Sequence, residues 1–573
     1  MNATETLRHA FQLFEQEHYA AAEEALFGLL QQEPDHLQAL HLLGSVAAAQ
    51  GRFEEAAVVL QRALRVLPHD AQEGNEALAI RYKLGRAFYE QGRVEDAFLL
   101  YRDLIETGYR LPELFVAAAA ALQALSPAGK NDEQAIALLD EALQLQPDSP
   151  DTWHRKALLH ERRRDWAAAR ASMHRVLQLD GRRAVYWLDA GLAEHALGEF
   201  EEALKFYDQA LIVDPDYVDA HVSRGTSLAR LRQYDDAIDS YRRALALQPD
   251  DADAKVNLAF SLLVLGRMQE ALPLYEWRWE GRSADPYRHA AIPAWNGASS
   301  LRGKRMLLWA EQGHGDTIQF SRYVQQIVEA GAQVVLEVPA ALLPLMASLP
   351  SASQLELVAM GAPLPALDYQ LPLMSLALVC NTQADDIPAP VPYLRADEAR
   401  LQAWSARIDT LAPRASGRLR VGIVCSGNAG NVNDRRRSIA LEQFAPLAQA
   451  RADLDFFILQ PDLRAADAVW LAAHDAWHWL GAGIGDFADT AAALACMDLL
   501  VTVDTAAAHL AGALGLPVWI ALPFAPDWRW FLNRHDSPWY PTARLLRQQR
   551  AGEWGDVILT MKAALAVSDL ARP

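Results

Sequence analysis

The sequence predicts an α-helical repeat superhelix followed by two α/β lobes. Three observations lead there. Small and apolar residues recur at a fixed 34-residue step through roughly the first half. From Pro286 that step stops, and short apolar runs begin to alternate with helical stretches. Charge is also divided unevenly: the formal net charge is −20, with 31 basic and 46 acidic residues up to position 300 and 22 and 27 after it. At 573 residues the chain is several times the roughly 100–200 residues of one domain, so more than one core is expected. The reading divides it at 1–285, 286–415 and 416–573.

The repeat signal comes first in the chain. Ala22 and Ala56 stand 34 residues apart, as do Pro34 and Pro68, and Ala169, Ala203, Ala237 and Ala271 keep the same step. Around them one phrase recurs: Gly44, Ala56, Leu60, Ala63, Pro68; then Gly191, Ala203, Tyr207, Ala210, Pro215; then Gly225, Ala237, Tyr241, Ala244, Pro249. Each unit reads as two amphipathic helices. The small residue lets the first helix approach the second, whose Ala returns the contact, and the aromatic fills the gap to the next unit. The Pro ends the second helix because it lacks an amide donor and clashes with the preceding turn. Eight units follow: 3–36, 37–70, 78–111, 116–149, 150–183, 184–217, 218–251 and 252–285, with an extra segment at 71–77. This pattern resembles the tetratricopeptide repeat (TPR). Such arrays stack into a superhelix with a concave groove, which implies a docking surface for a protein or peptide.

The second half uses a different grammar. Strands are expected at 306–310, 334–338, 355–359, 420–425, 456–459, 499–503 and 518–521. Helices are expected at 315–330, 341–348 and 398–409. Continuous apolar strands separated by helices imply parallel sheets covered on both faces. Loops at their carboxyl ends form ligand crevices.

Three such loops carry chemistry. In Glu311-Gln312-Gly313-His314-Gly315-Asp316-Thr317, Gly313 and Gly315 permit a tight turn and close ligand approach. Asp316 or Thr317 either caps the helix, or Asp316 serves as a general base. The polar loop Cys425 to Ser438 offers amides, hydroxyls and three guanidiniums, donors suited to phosphate oxygens. No lysine lies between Lys304 and Lys562, so a diphosphate bound here through cationic side chains needs arginine. At Val503-Asp504-Thr505-Ala506, a buried strand meets a small-residue helix whose first amides and dipole favour an anion. His509, one turn in, is equally a satisfied half-buried histidine or a ligand contact. The glycines of Gly481-Ala482-Gly483-Ile484-Gly485 fall at the wrong spacing for a dinucleotide fingerprint, with Asp486 in the last place.

Residues about 300–550 resemble bacterial glycosyltransferases of the heptosyltransferase type, family 9, in the GT-B arrangement of two Rossmann-like lobes. The resemblance rests on Gly313-His314-Gly315-Asp316, Ser426-Gly427-Asn428, Asn433-Asp434-Arg435-Arg436-Arg437-Ser438, Asp504-Thr505, His509-Leu510-Ala511, Asp527-Trp528-Arg529-Trp530 and Asp536-Ser537-Pro538-Trp539-Tyr540-Pro541. It implies that Asp316 is the catalytic base and that the Asp504-Thr505 turn holds the donor phosphate. The loop at Arg435 to Arg437 takes the place of a phosphate-stabilising Lys or Arg. Gly313, Gly315, Ser426, Asn428, Arg435, Arg437, Asp504, Thr505 and His509 are thus the expected donor-binding set. The sequence departs from the family at Ala506, where a glycine is usual, and at Cys425 and Ala429, where a larger aromatic and a proline are expected. In architecture, repeats before a GT-B pair also resemble the O-linked N-acetylglucosamine transferases.

The expected function is an inverting, metal-independent transfer of a sugar from a nucleotide-sugar to an acceptor hydroxyl, on a protein docked by the repeats. The rival is a non-catalytic repeat scaffold with a GT-B-like binding module. No cofactor or metal site is expected, and −20 of net charge argues against a nucleic-acid partner. Cys380, Cys425 and Cys496 form no Cys-x-x-Cys cluster, which fits a reducing cytoplasm. Residues 1–19 carry Glu5, Arg8, Glu15 and Glu17 and lack the apolar run of a secretory leader. The weakly polar stretch 506–526 holds His509, Gly512, Gly515, Pro517 and Pro523, and reads as helix, turn and strand rather than a membrane span.

Overall fold

The computed structural model describes residues 2–68, 74–282, 286–311, 313–388, 390–414, 418–430 and 434–567. Gln312, Asn433 and the early part of the expected insertion at 71–77 lie outside them. The described chain forms two compact units, Met1–Ser223 and Arg224–Pro573.

Eight helical hairpins fill the first half: Ala3–Glu15 with Tyr19–Gln32, Leu37–Ala49 with Phe53–Val66, Asn75–Glu90 with Val94–Glu106, Pro112–Leu125 with Asp132–Leu145, Pro150–Arg162 with Trp166–Leu179, Ala184–Leu197 with Phe200–Val213, Val218–Arg230 with Tyr234–Leu247, and Ala252–Val264 with Met268–Tyr275. Second helices end two residues before Pro34, Pro68, Pro215 and Pro249, where the missing amide and the ring clash stop them. Asn75–Ala77, expected as insertion, already belongs to a helix. The 34-residue step also appears in the backbone. The turn between the two helices passes through a left-handed residue at Glu17 and Gly51, and again at Arg164, Gly198, Arg232 and Gly266.

In the hairpins with a glycine on the first helix, the tightest contact is with the residue sixteen positions on, and the Ala56 carbonyl also lies within 3.5 Å of a Cβ at Gly44. A Cβ on Gly44 would lie 2.6 Å from Leu60 Cγ, one on Gly85 2.5 Å from the Tyr101 ring, and one on Gly225 2.6 Å from the Tyr241 ring. The residue sixteen positions on therefore seats over the glycine of its own hairpin, and Tyr101 and Tyr207 also share core clusters with Leu114 and Ala220 of the following hairpins. Tyr101, Tyr207 and Tyr241 are accordingly buried.

The α/β region contains two parallel sheets. The first has β1 (Arg305–Trp309), β2 (Gln333–Val338), β3 (Leu355–Ala359) and β4 (Tyr369–Pro372) in the order β3-β2-β1-β4. The second has β5 (Leu419–Val424), β6 (Leu454–Ile458), β7 (Trp477–Trp479), β8 (Leu499–Val503), β9 (Val518–Leu522) and β10 (Ala543–Arg547) in the order β10-β9-β8-β5-β6-β7. Counted within its lobe, that is the doubly wound order 3-2-1-4-5-6, whose ligand crevice opens beside the first strand. Strands β8 and β9 are buried at every residue, as sheets covered on both faces require. All seven expected strands are present, and β4, β7 and β10 are additional. The helix expected at 315–330 is broken into His314–Phe320, a 3₁₀ turn Ser321–Tyr323 and Val324–Glu329. That expected at 341–348 is a 3₁₀ turn, Ala340–Leu342, and one turn of helix, Leu343–Met346.

The eighth hairpin and the seventh from Arg224 onward belong to the same compact unit as the sheets, although the expected boundary fell at 285. Buried polar contacts show why. Arg278 donates from Nε and Nη2 to Glu311 at 2.8 and 2.9 Å, Ser375 Oγ donates to Glu276, and the Tyr275 hydroxyl reaches Met374 Sδ at 3.8 Å.

Candidate functional site

A cleft of about 1570 Å³ opens at the carboxyl ends of the parallel strands. Typical small-molecule sites occupy about 300–1,000 Å³, so there is room for a ligand larger than a mononucleotide. Its walls are the loops after β1 (Gly313 to Asp316), β5 (Ser426 to Gly430), β6 (Gln460 to Arg464), β8 (Asp504 to Ala507) and β9 (Pro523 to Arg529). A further wall comes from the seventh and eighth hairpins, through Thr226, Arg230, Tyr234, Tyr241, Asn257 and Phe260.

The two lobes meet at Gly315. A Cβ there would lie 2.9 Å from His509 Cδ2 and 3.4 Å from Ala506 Cα, so only a glycine lets helix His314–Phe320 close on helix Ala506–Ala513. His509 is 5% exposed, its ring stacked on Trp530 at 5.2 Å and its Nδ1 hydrogen-bonded to the Tyr540 hydroxyl at 3.0 Å. Burial, with Arg529 adding to it, lowers its pKa to about 3. His509, expected among the donor contacts, lines the cleft and also packs as a neutral ring between the lobes.

Asp316 sits in the first turn of its helix and lines the cleft, with its side chain 31% exposed. One carboxylate oxygen is 2.7 Å from Arg529, which also pairs with Asp527 at 3.0 Å. Burial raises the Asp316 pKa, and the Arg529 charge pulls against that rise. Gly313 gives Asp316 room, since a side chain at that position would collide with its carboxylate.

Across the cleft, Thr505 is the N-cap of helix Ala506–Ala513, and its side chain makes no capping bond. The first amides of that helix have no intrahelical acceptor and carry the positive end of its dipole. Thr505 Oγ1 lies 3.3 Å from Thr502 Oγ1. Arg437 reaches the same corner, donating from Nη1 to the Asp504 carbonyl at 2.9 Å. Gly427 allows this approach, because a Cβ there would lie 2.7 Å from Arg437 Nη2. Asp504 is 9% exposed, and burial, followed by the neighbouring Asp527 charge, raises its pKa to about 6.

The rest of the expected set divides. Ser426 is buried and held by Gln460, its amide donating to Oε1 at 3.1 Å. Asn428 is exposed at the cleft rim and accepts from the Gly430 amide at 2.9 Å. Arg435 is exposed and does not line the cleft, whereas Arg436 and Arg437 do. The helical turn Asp434–Arg437 spreads successive side chains about 100° apart, so one arginine of the three must point elsewhere. Sequence reasoning assigned no role to Arg529 or Asp527, although both stood in a quoted motif, and placed Arg436 only within the basic loop Arg435 to Arg437. Arg230 carried no signal, because the repeat pattern marks core positions only. Among the described residues no group of three or more His, Cys, Asp or Glu side chains is placed to hold a metal ion. No helix of the described residues is long and apolar enough to cross a membrane.

Family models described as tetratricopeptide repeat match residues 13–73, 63–111 and 222–284, and a TPR repeat model matches 191–232. The helical half is built of tetratricopeptide repeats. Along almost its full length the chain is similar to Protein FlbA of Caulobacter vibrioides (strain ATCC 19089 / CIP 103742 / CB 15), 24% identical over 592 residues that cover 98% of this chain and 89% of that protein. A shorter similarity, 28% identical over 184 residues, relates 30% of this chain to 19% of Protein O-mannosyl-transferase TMTC1 of Homo sapiens. Among solved structures, the C-terminal part of a TPR repeat-containing protein from Cytophaga hutchinsonii is 16% identical with a TM-score of 0.38, covering 44% of this chain and 99% of that one. MamA is 18% identical with a TM-score of 0.26, covering 28% and 93%. The seventh and eighth tetratricopeptide repeats thus do two things: they stack as repeats, and they furnish one wall of the cleft.

Proposed function

We propose that this protein is a glycosyltransferase of the GT-B, heptosyltransferase-like type. It would transfer a sugar from a nucleotide-sugar to a hydroxyl on a protein docked by the tetratricopeptide repeats, with inversion and without a metal. The observation that carries the reading is the pairing, across one cleft, of the raised Asp316 carboxylate with the open helix start at Thr505 and its neighbour Arg437. Asp316 removes the proton of the acceptor hydroxyl as that oxygen bonds to the anomeric carbon. The bond from that carbon to the phosphate oxygen breaks on the opposite face, and the nucleotide leaves with the electron pair. Arg437, Thr505 Oγ1 and the amides of Ala506 and Ala507 receive the new charge, as oriented donors do in a site shielded from water. The likeness to a protein O-mannosyl-transferase agrees with a protein acceptor, and carries less than the cleft does because so little of that protein is matched.

Transfer assays on Asp316→Asn test the base. The amide cannot take a proton, so kcat falls by about 10²–10⁴ with nucleotide binding retained; full activity in the variant would end the assignment. The Asp316–Arg529 ion pair favours a second reading, a binding module whose base is locked. Under that reading, calorimetry detects nucleotide binding while no acceptor is ever modified.

A further inference from the structure

The loop after β9 holds a strained residue beside the catalytic groups. Phe531 has φ 53° and ψ −178°, a combination that glycine adopts readily and side chains oppose, and one that persists only where the surroundings over-determine it. Glu17, Arg164 and Arg232 also have positive φ, but they stand at the hairpin turn, where the 34-residue step repeats that conformation. Phe531 is 5% exposed and closes a tight turn. The Asp527 carboxylate accepts from the Arg529 amide at 3.0 Å, the Trp530 amide donates to the Asp527 carbonyl at 3.1 Å, and the Phe531 amide donates to the Trp528 carbonyl at 3.1 Å. Arg529 projects from the middle of this turn onto Asp316 at 2.7 Å.

The turns of the last two repeats hold the loop. At the eighth, a Cβ on Gly266 would lie 3.6 Å from Phe531 Cε1, the spacing of van der Waals contact. At the seventh, Arg232 donates to Asn533 Oδ1 at 3.3 Å, and its guanidinium lies 5.1 Å from the centre of the Phe524 ring. Beyond Phe531 the chain is fixed again, with Arg547 Nε donating to the Arg534 carbonyl at 2.9 Å. Relaxing Phe531 to an ordinary φ therefore swings the Asp527–Phe531 turn, and Arg529 with it, against a chain that is anchored further on.

The geometry points to Phe531 as a positioning residue: its ring, seated against the turn of the eighth repeat, keeps the backbone reversal that lays Arg529 on Asp316. The repeat array thereby sets the charge partner of the base as well as one wall of the cleft. The role rests on the transferase reading only for what Asp316 does. A contact this short and directed is lost when its donor moves by about 1 Å.

A double-mutant cycle in urea denaturation of the full chain decides it without any assay of transfer. Asp316→Asn is made in wild type and in Phe531→Ala, which keeps the backbone penalty and removes the ring. In wild type the change breaks the pair with Arg529; in Phe531→Ala there is no pair left to break. The loss in urea midpoint caused by Asp316→Asn should therefore shrink to about half or less, or become a gain, in the second background. Equal losses in the two backgrounds overturn the proposal. Should Phe531→Ala not fold, Phe531→Gly carries the same cycle, since glycine tolerates this backbone. Phe531→Gly should also melt above Phe531→Ala, the reverse of their usual order, and the usual order would show that no strained reversal is being held. The pH profile of kcat/KM separates positioning from mere packing. Losing a cation beside the base raises its pKa, so the acid limb of Phe531→Ala should move up by about one pH unit, as in Arg529→Gln. A rate lowered equally at every pH assigns the ring a packing role and overturns the proposal. If wild type modifies no acceptor, the transferase reading fails and the urea cycle still decides the positioning; if transfer is robust and the cycle additive, the positioning fails alone.

Discussion

Asp504 and Asp316 share one cleft and one cause of perturbation, yet the consequences differ. Asp504 has its pKa raised to about 6 by burial and by Asp527, against about 3.9 for an unfolded chain. The folded protein therefore binds that proton more tightly than the unfolded one, and stability falls as pH rises from about 4 to about 6. Asp504→Asn removes the penalty of burying the charge. It should melt above wild type at pH 7.5, with the gap closing by pH 4; a gap independent of pH would place the effect elsewhere. Asp316 is raised by burial and restrained by Arg529. Replacing Arg529 with Gln lets the carboxyl rise further, so the acid limb of kcat/KM should move to higher pH. The same change leaves Asp316 and Asp527 without their cation and should lower stability in urea titrations.

At the scale of elements, the glycine-on-ring contact sets the hairpin. Gly191→Ala would drive a Cβ to 2.7 Å from Tyr207 Cδ1, and Tyr207 is fully buried, so a loss of about 1–3 kcal/mol is expected. Gly28, also inside a repeat helix, has nothing within 4 Å of the corresponding position; Gly28→Ala should instead stabilise by about 0.5–1 kcal/mol. Opposite signs for the two changes in chemical denaturation would establish the contact, and equal signs would refute it. These elements also show what was legible in the sequence. The repeat helices were readable because period, glycine and proline all marked the same hairpin. Interior strands were readable because burial on both faces demands unbroken apolar runs. Strands β4, β7 and β10 all lie at sheet edges, where Gln370, Pro372, His478, Arg544 and Arg547 are tolerated, so their sequences lack that signature. In the cleft, glycines that neighbouring groups approach closely, Gly313, Gly315 and Gly427, marked stretches that line it. Arg230 and the role of Arg529 carried no such mark, because a charge acquires its meaning from partners that only the fold brings near.

For the whole molecule, the compact unit Arg224–Pro573 joins the eighth repeat and most of the seventh to both sheets. A chain starting at Val218, the first residue of the seventh repeat's helix, should fold and bind nucleotide as the full protein does. One starting at Pro286 loses Arg278 and leaves Glu311 buried without its cation, and should fail to fold cooperatively by calorimetric melting. Comparable behaviour of the two shorter chains would show that the last repeats are dispensable to the lobes.

The repeat wall of the cleft has one more consequence. None of the described residues that line the cleft precedes Thr226, while Tyr241 serves at once as the ring over Gly225 and as cleft surface. The first six hairpins can therefore be lengthened or replaced without touching the cleft lining. The seventh cannot be exchanged so freely, because any graft that alters its interior also redraws the wall of the cleft.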